Sequence, residues 1–281
     1  MNVHDALTQA QARGLPRIDA QMVVLLSVER DTHDRAWLWS HDDSPLSDSQ
    51  FTRFNALLER RLAGEPMAYL TGIQEFHGMA LRVDARVLVP RADTETLLDW
   101  ALEILEHRSQ QAPTRPRVLD LGTGSGAIAL GIRASHPPAE VHAVDASADA
   151  LAVARANAHQ LGLDVHLHHG NWFAPVAGQH FDLIVSNPPY IAEDDPHLPA
   201  LAHEPRTALT AGPDGLDDLR HIVHTAPSHL QRGAWLLLEH GFDQAEAVRA
   251  LLGQAGFTHI CSRKDLAGIE RCSGGQYPFG G

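Results

Sequence analysis

Cysteine is nearly absent: Cys261 and Cys272 are the only two in 281 residues. That excludes a disulfide framework and a cysteine-rich metal site. Positive charge is also scarce. Lys and Arg number 22 against 35 Asp and Glu, a formal net charge of −13 with histidines neutral. A large nucleic-acid footprint needs basic surface to displace counterions, so only a local basic groove stays open to such a partner. No run approaches the ~18 uninterrupted apolar residues of a membrane span. The opening "MNVHDALTQA" carries neither the basic nor the apolar region of a targeting signal. No internal repeat or low-complexity segment is evident. These absences point to a soluble, cytoplasmic protein of a reducing compartment, with no membrane partner and no direct nucleic-acid partner. The length allows one large or two ordinary domains.

What is present changes character along the chain. Residues 1–75 carry apolar side chains at helical spacing in "VHDALTQAQARG" and "IDAQMVVLLSVER". "SDSQFTRFNALLERRLAG" begins with Ser47 and Gln50 in capping-box register and ends on Gly64. Trp37 and Trp39 read as core of this small bundle. Residues 76–92, within the alternating stretch from Glu75 to Asp93, read as a β-hairpin linker. A helix follows, with Asp93 as its cap, and "SQQAPTRP" reads as a connector. From Arg117 strands alternate with helices, which implies a mostly parallel sheet covered on both faces. "FTHICSRKD" and "GIERCS" read as a terminal antiparallel pair. The fold class expected is therefore α/β, with a small helical domain, a hairpin and a Rossmann-like domain over residues 93–281.

Two stretches carry the chemistry. "VLDLGTGSGAIAL" lies at the first strand-to-helix turn. Gly122, Gly124 and Gly126 permit a tight turn and close approach of a ligand, and the next helix points its N–H groups at it. Asp145, ending the following strand, is spaced to accept hydrogen bonds from ribose hydroxyls. Gly122-x-Gly124-x-x-Ala127 also fits a loose dinucleotide fingerprint, so a nicotinamide oxidoreductase is a rival. Asp120 discriminates: a carboxylate before the first glycine suits a cationic cofactor end, such as the ammonium of S-adenosylmethionine, better than a pyrophosphate.

The second stretch is "FDLIVSNPPYIAED". Ligands of open α/β sheets bind outside the carboxyl ends of strands, so Asn187 to Tyr190 should face the same crevice. Asn187 offers a side-chain carbonyl and Pro188 a backbone carbonyl with no competing N–H. Two such acceptors can hold both hydrogens of an –NH₂ group. The Pro188-Pro189 pair fixes their separation, and Tyr190 can lie against the flat group bearing the amine. Presenting that nitrogen to an electrophilic methyl contributes roughly 7–11 kcal/mol by orientation. No general base is needed, because the cationic product is acidic. In "HLHHG", His166 and His168 share a strand face. No third metal ligand is visible, so the expectation is an ordinary surface and no metal.

In order and spacing, "GEPMAYLTGIQEFHGMAL", "VLVPRADTE", "DLGTGSGAIAL", "VDAS", "GNWF", "FDLIVSNPPYI" and "HEPRTAL" resemble the HemK/PrmC family, from about Gly64 to Arg271. These are glutamine methyltransferases of peptide-chain release factors. The resemblance implies methyl transfer from S-adenosylmethionine to the amide nitrogen of the glutamine in a Gly-Gly-Gln motif, modulating translation termination. It implies that Gly122, Thr123, Gly124, Ser125 and Gly126 cradle the methionine and ribose. Asp145 would anchor the ribose and Trp172 would meet the adenine. Asn187, Pro188, Pro189 and Tyr190 would form the glutamine site, with Asn187, Pro188 and Tyr190 as the catalytic set and Asn187 also touching cofactor. Thr94 and Glu95 would back the methionine end, Glu204 and Pro205 would shape a covering loop, and Glu239 would be structural. The helical domain would dock the release factor. "NPPY" with a glycine loop is shared with adenine methyltransferases of DNA and RNA, which are the alternative; a non-catalytic scaffold is a third. Gly274, Gly275 and Gln276 spell the substrate motif near the C-terminus. They could enter the site or simply fray past the last strand.

Overall fold

Capping chemistry sets the first helices. In the computed structural model, which describes residues 1–111 and 115–278, Asn2 and Asp5 form a capping box at the start of α1 (Val3–Ala12). Ser47 and Gln50 form another at the start of α4 (Asp48–Leu62), as the sequence predicts. Between them lie α2 (Arg17–Ser27) and the short α3 (Arg35–Ser40), and α5 (Met67–Thr71) follows. Val23, Val24, Leu25, Phe54 and Leu58 form the sealed centre of this unit, Met1–Gly72. Trp37 packs on that core. Trp39 does not: it is 69% exposed. Two residues apart on a helix is about 200° around the axis, so one tryptophan of α3 must face away. The Arg17 guanidinium sits 5.6 Å above the Trp39 ring.

The second unit, from Ile73 onward, opens with the antiparallel pair β1 (Ile73–Phe76) and β2 (Met79–Arg82). His77 and Gly78 turn it with φ of 48° and 74°, the conformation a two-residue hairpin requires. The hairpin thus ends at Arg82 rather than spanning 76–92. The alternation beyond it has another origin: Val83, Val87 and Val89 are buried from a loop. Helix α6 (Asp93–Gln111) includes Asp93 as a helical residue, and its carboxylate pairs with Arg271 at 3.4 Å instead of capping. The connector read at 109–116 starts inside this helix. Its residues 112–114, and 279–281 of the tail, lie outside the described residues.

Seven strands follow. They are β3 (Arg117–Leu121), β4 (Glu140–Asp145), β5 (His166–His169), β6 (Phe181–Ser186), β7 (Leu230–Glu239), β8 (Thr258–Lys264) and β9 (Glu270–Gln276). Their order is β5-β4-β3-β6-β7-β9-β8. The first five are parallel, and β9 runs antiparallel to both its neighbours. Helices α7 (Ala127–Ser135), α8 (Ala148–Leu161), α9 (Asp217–Thr225) and α10 (Ala245–Gln254) complete the α/β unit. Alternate residues explain why the strands are apolar throughout. Val118, Leu183, Val185 and Leu237 pack with Leu97, Leu98 and Ile128 of α6 and α7. Leu119, Ile184, Leu236 and Leu238 pack with Leu219, Ile222 and Val248 of α9 and α10. Among the described residues, no helix is long and apolar enough to cross a membrane.

The terminal pair forms as expected, but β9 is inserted into the sheet rather than appended. Gly274 and Gly275 pair with Leu237 and Leu236. A Cβ on Gly274 would fall 2.5 Å from Leu237 Cδ2 and 2.8 Å from the Leu236 carbonyl. Gln276 Nε2 donates to the Gly233 carbonyl at 2.9 Å. The Gly-Gly-Gln segment is strand interior, its glycines required by close packing, and neither frays nor enters a site.

Candidate functional site

Where β3 ends, the chain turns at once into α7. Gly122, Gly124 and Gly126 take φ of 72°, 55° and 87° there, a region that penalises residues with a Cβ. The amides of Gly122 and Thr123 both donate to the Val144 carbonyl, at 2.9 and 3.0 Å, tying the loop to β4. Asp145, at the end of β4, accepts from Gly124 N and from Ser147 N, each at 2.8 Å. Two N–H donors fix the carboxylate, and each oxygen retains a lone pair for a further donor.

A cavity of about 360 Å³ opens over this loop, lined by Gly122, Gly124, Asp145, Trp172, Asn187 and Pro189 among others. The Trp172 ring lies 3.7 Å from the point where a Gly122 Cβ would stand. Trp172 holds φ at 45°, a conformation that a bulky residue keeps only under constraint. One constraint is Asp218, which accepts from the indole and itself lines the cavity. Burial and the neighbouring Asp217 push the Asp218 carboxyl up. Thr123, Ser125 and Gly126 are not among the lining residues; they shape the cavity from beneath. The Thr123 hydroxyl donates to Asp120 at 2.6 Å, and the Ser125 carbonyl accepts from Asn157.

Asp120, expected at the ligand, is also beneath it. One oxygen accepts from Thr123 and from Ala129 N, bracing the start of α7. The other has no protein partner. Full burial pushes this carboxyl up to about 7.

Strand β6 delivers Asn187 to the same rim. The Ser186 hydroxyl donates to the Leu121 carbonyl at 2.7 Å, so the ends of β3 and β6 are bolted together. Past the prolines, Tyr190 N and Ile191 N donate to the Leu209 carbonyl. Gln244 Nε2 donates to the Tyr190 carbonyl at 3.0 Å. A second cavity, of about 320 Å³, lies on this side, with Leu88, Arg91, Asn187, Tyr190, Ile191 and Leu209 in its wall. The two cavities share Leu88, Asn187 and Ala208. Asn187 therefore stands where two chambers meet. Pro188 is buried and lines neither chamber, whereas Pro189 lines the first and Tyr190 the second.

A chain of hydrogen bonds holds Asn187 and Tyr190 from behind. Asn187 Nδ2 donates to the Thr94 hydroxyl at 3.2 Å. Thr94 bonds Glu239, and the Tyr190 hydroxyl donates to Glu239 Oε1 at 3.3 Å. With its nitrogen committed to Thr94, Asn187 keeps its carbonyl oxygen free to accept. Glu239 is fully buried with Oε2 unpartnered, and burial raises its carboxyl to about 7. Burial and Glu239 together raise the Tyr190 phenol, so Tyr190 is a donor at neutral pH and not a base. Glu95 has no part here: it accepts from His77 N at 2.9 Å and braces the hairpin. Glu204 is buried, accepting from Val89 N at 3.0 Å and pairing with Arg91. It thereby ties the loop after β2 to the loop that carries Pro205 and Ala208 over the first chamber.

Sequence reasoning missed Asp218, Arg91 and the role of Glu239. Glu239 ends a parallel strand, and its place at the carboxyl edge was a usable signal. Asp218 carried none.

Residues 94–211 match the family described as Methyltransferase small domain, and residues 4–72 match the PrmC N-terminal domain. A release factor glutamine methyltransferase of Bordetella pertussis is 51% identical over 265 residues, covering 93% of this chain and 95% of that one. One from Xylella fastidiosa, strain Temecula1, is 46% identical, covering 97% and 98%. One from Escherichia coli is 41% identical, covering 98% and 97%. Among solved structures, a methyltransferase of Pyrococcus furiosus superposes with a TM-score of 0.54 at 17% identity. It spans 79% of this chain and 98% of that one, and supports the fold alone.

Proposed function

Because this chain belongs to the release factor glutamine methyltransferase family, we propose that its two chambers bring a methyl donor and a glutamine side chain together at Asn187. The enzyme is a methyltransferase, and its reaction is methyl transfer to the glutamine amide nitrogen of a release factor. The adenine-methyltransferase alternative is not favoured, since relatives matching nearly the full length carry the release-factor name. The observation that carries the reading is the oriented amide of Asn187 at the junction of the chambers.

The first chamber fits S-adenosylmethionine. A carboxylate fixed by two backbone amides suits ribose hydroxyls, the Trp172 ring suits a purine face, and the glycines leave room for the chain between. That cofactor, when bound, supplies an electrophilic methyl on a cationic sulfur. Asp145, Gly122, Gly124 and Trp172 contact it in this reading, with Thr123, Ser125, Gly126 and Asp120 holding the loop.

The second chamber takes the glutamine. In this reading Asn187 Oδ1 accepts one amide hydrogen. The carbonyl of Pro188, whose residue stands just behind the chamber walls between the lining residues Asn187 and Pro189, accepts the other, and Tyr190 lines the slot beside the planar group. Accepting both hydrogens draws the nitrogen toward tetrahedral geometry and aims its lone pair at the first chamber. The apolar wall of Leu88, Ile191 and Leu209 excludes water that would compete for those acceptors. Thr94 and Glu239 are positioning residues for this pair. We assign docking of the rest of the release factor to the helical unit, whose Ile18 and Trp39 are exposed. The partner and a cytoplasmic location are consistent with that substrate.

The test is to incubate the enzyme with a purified release factor and methyl-labelled S-adenosylmethionine, then map the modified residue by mass. One methyl on the Gly-Gly-Gln glutamine is the expected result. Label on another residue, or none, overturns the reading.

A further inference from the structure

Far along the sheet from Asn187, its edge gathers imidazoles. β5 is the edge strand, and His142 of β4 stands in register with His166. His166 and His168 share one face of β5, as alternate residues must. One ligand atom each from Glu140, His142 and His166 lie within 4.8 Å of one another. Zinc bound tetrahedrally at about 2.0–2.2 Å spaces its ligands roughly 3.4 Å apart. Glu140 and His142 are already inside that spacing, with Oε1 and Nε2 2.9 Å apart. His166 is exposed, so its ring can turn inward and an ion can enter.

His168 supplies what three ligands alone would lack. Its Nε2 lies 3.0 Å from His142 Nδ1, and the two rings are parallel within 4°. A neighbour on one ring nitrogen directs the other toward a metal, which is the usual support for a ligating histidine. Arg117 is the competing cation: its Nε is 3.2 Å from Glu140 Oε1, and its NH2 is 3.4 Å from His142 Nε2. Its NH1 donates outside the cluster, to the His180 carbonyl at 3.0 Å, so Nε can release Glu140 and NH2 can swing from His142 while NH1 keeps the side chain anchored.

We infer that Glu140, His142 and His166 form a binding site for a zinc-class divalent ion, with His168 orienting His142. Imidazole with carboxylate, and no thiolate, selects zinc, nickel or copper over magnesium or calcium. The ion clips β4 to the edge strand β5. Asp145, which ends β4, and Gly170, which follows β5, both line the first chamber, so the clip steadies that wall. From the sequence only the two histidines of β5 were visible; the register of the sheet adds the other two ligands.

The chain has 19 histidines, so zinc uptake alone proves little. The experiment titrates the full-length, chelator-stripped protein with zinc chloride by calorimetry, beside His166→Ala and Glu140→Gln. His166 is exposed and its loss leaves the core intact. The expected result is one saturating equivalent in the wild type, weakened roughly tenfold or more in each variant. Absence of a one-to-one step in the wild type overturns the site. A step of equal affinity in both variants overturns it too, by placing the ion elsewhere.

Discussion

The glycine turn under the first chamber is held by backbone amides at one strand-to-helix crossing, whereas Asn187, where the chambers meet, rests on side chains drawn from distant segments. Around Gly122 and Gly124 the loop amides bond Val144 and Asp145, so the ligand would meet a surface set by φ angles. Around Asn187 the geometry depends on Thr94 and Glu239, which lie 93 and 52 positions from it in opposite directions along the chain. Backbone built locally is stiff and tolerates side-chain change nearby. A side-chain relay can be disabled one atom at a time. A fully buried acid lies behind each: Asp120 braces the glycine turn from below, and Glu239 stands behind Asn187 and Tyr190.

The largest effect should come from the relay's working end. Asn187→Ala is expected to lower turnover by roughly 100-fold or more, the scale of losing one preorganised polar group at the reacting atom. Affinity for S-adenosylmethionine, by calorimetry, should change little, because the interaction matters mainly in the transition state. Normal methyl transfer by this variant would remove Asn187 from the chemistry and dissolve the distinction between chambers.

Asp145→Ala should fall on the other side of the comparison. It is expected to weaken S-adenosylmethionine binding by about tenfold, the order of a charge-assisted hydrogen bond. Turnover at saturating cofactor should largely recover. The loss also frees Gly124 N and Ser147 N, which Asp145 now holds. If turnover and affinity fell together, the chambers would be one energetic unit.

How much of this was legible in the sequence follows the same divide. The glycine turn, Asp145 and the Asn187–Tyr190 run are contiguous patterns whose residue types state their geometry. The parallel sheet was legible too, since both faces of β3, β6 and β7 are buried and their sequences are apolar without alternation. The relay was legible only in part: the family resemblance put Thr94 at the methionine end, whereas it stands behind Asn187, and Glu239 read only as the structural end of a strand. Trp39 misled because helical spacing marks an amphipathic segment but not which way a six-residue helix such as α3 turns. The Gly-Gly-Gln tail misled for a related reason. Glycine needed for chain freedom and glycine needed to admit Trp100 and Leu237 look alike in one dimension.

Thr94→Val tests the relay one step back. Valine keeps the shape and removes the hydroxyl that accepts from Asn187 and bonds Glu239. One lost hydrogen bond corresponds to about a threefold to tenfold fall in turnover. Cofactor affinity should hold, and Thr94→Ser should restore the rate. Failure of serine to rescue would mean that Thr94 acts by packing.

The smallest effect on rate, and the most particular to this side of the molecule, concerns Glu239. Burial raises its carboxyl from the usual 4.5 to about 7. Between those values the folded protein keeps a proton that the unfolded chain has lost, so folding stability falls as pH rises. The contribution is fully present below about pH 4.5 and gone above about pH 7. Its size is up to about 3 kcal/mol, taking 1.36 kcal/mol per pH unit. Asp120, also raised to about 7 by burial, adds a slope of the same sign. Glu239→Gln removes only the first slope, since a neutral amide has no proton to give up. Measured by denaturant melts from pH 5 to pH 8, the variant should match the wild type at the acid end and become progressively more stable than it toward pH 8. Its turnover should drop only a few-fold, because the amide oxygen can still accept from Thr94 or Tyr190. A stability difference that stays constant across that range would mean that Glu239 does not titrate there. The relay would then be held by a carboxyl of fixed protonation state, and the pH dependence assigned to the acid behind Asn187 would fail.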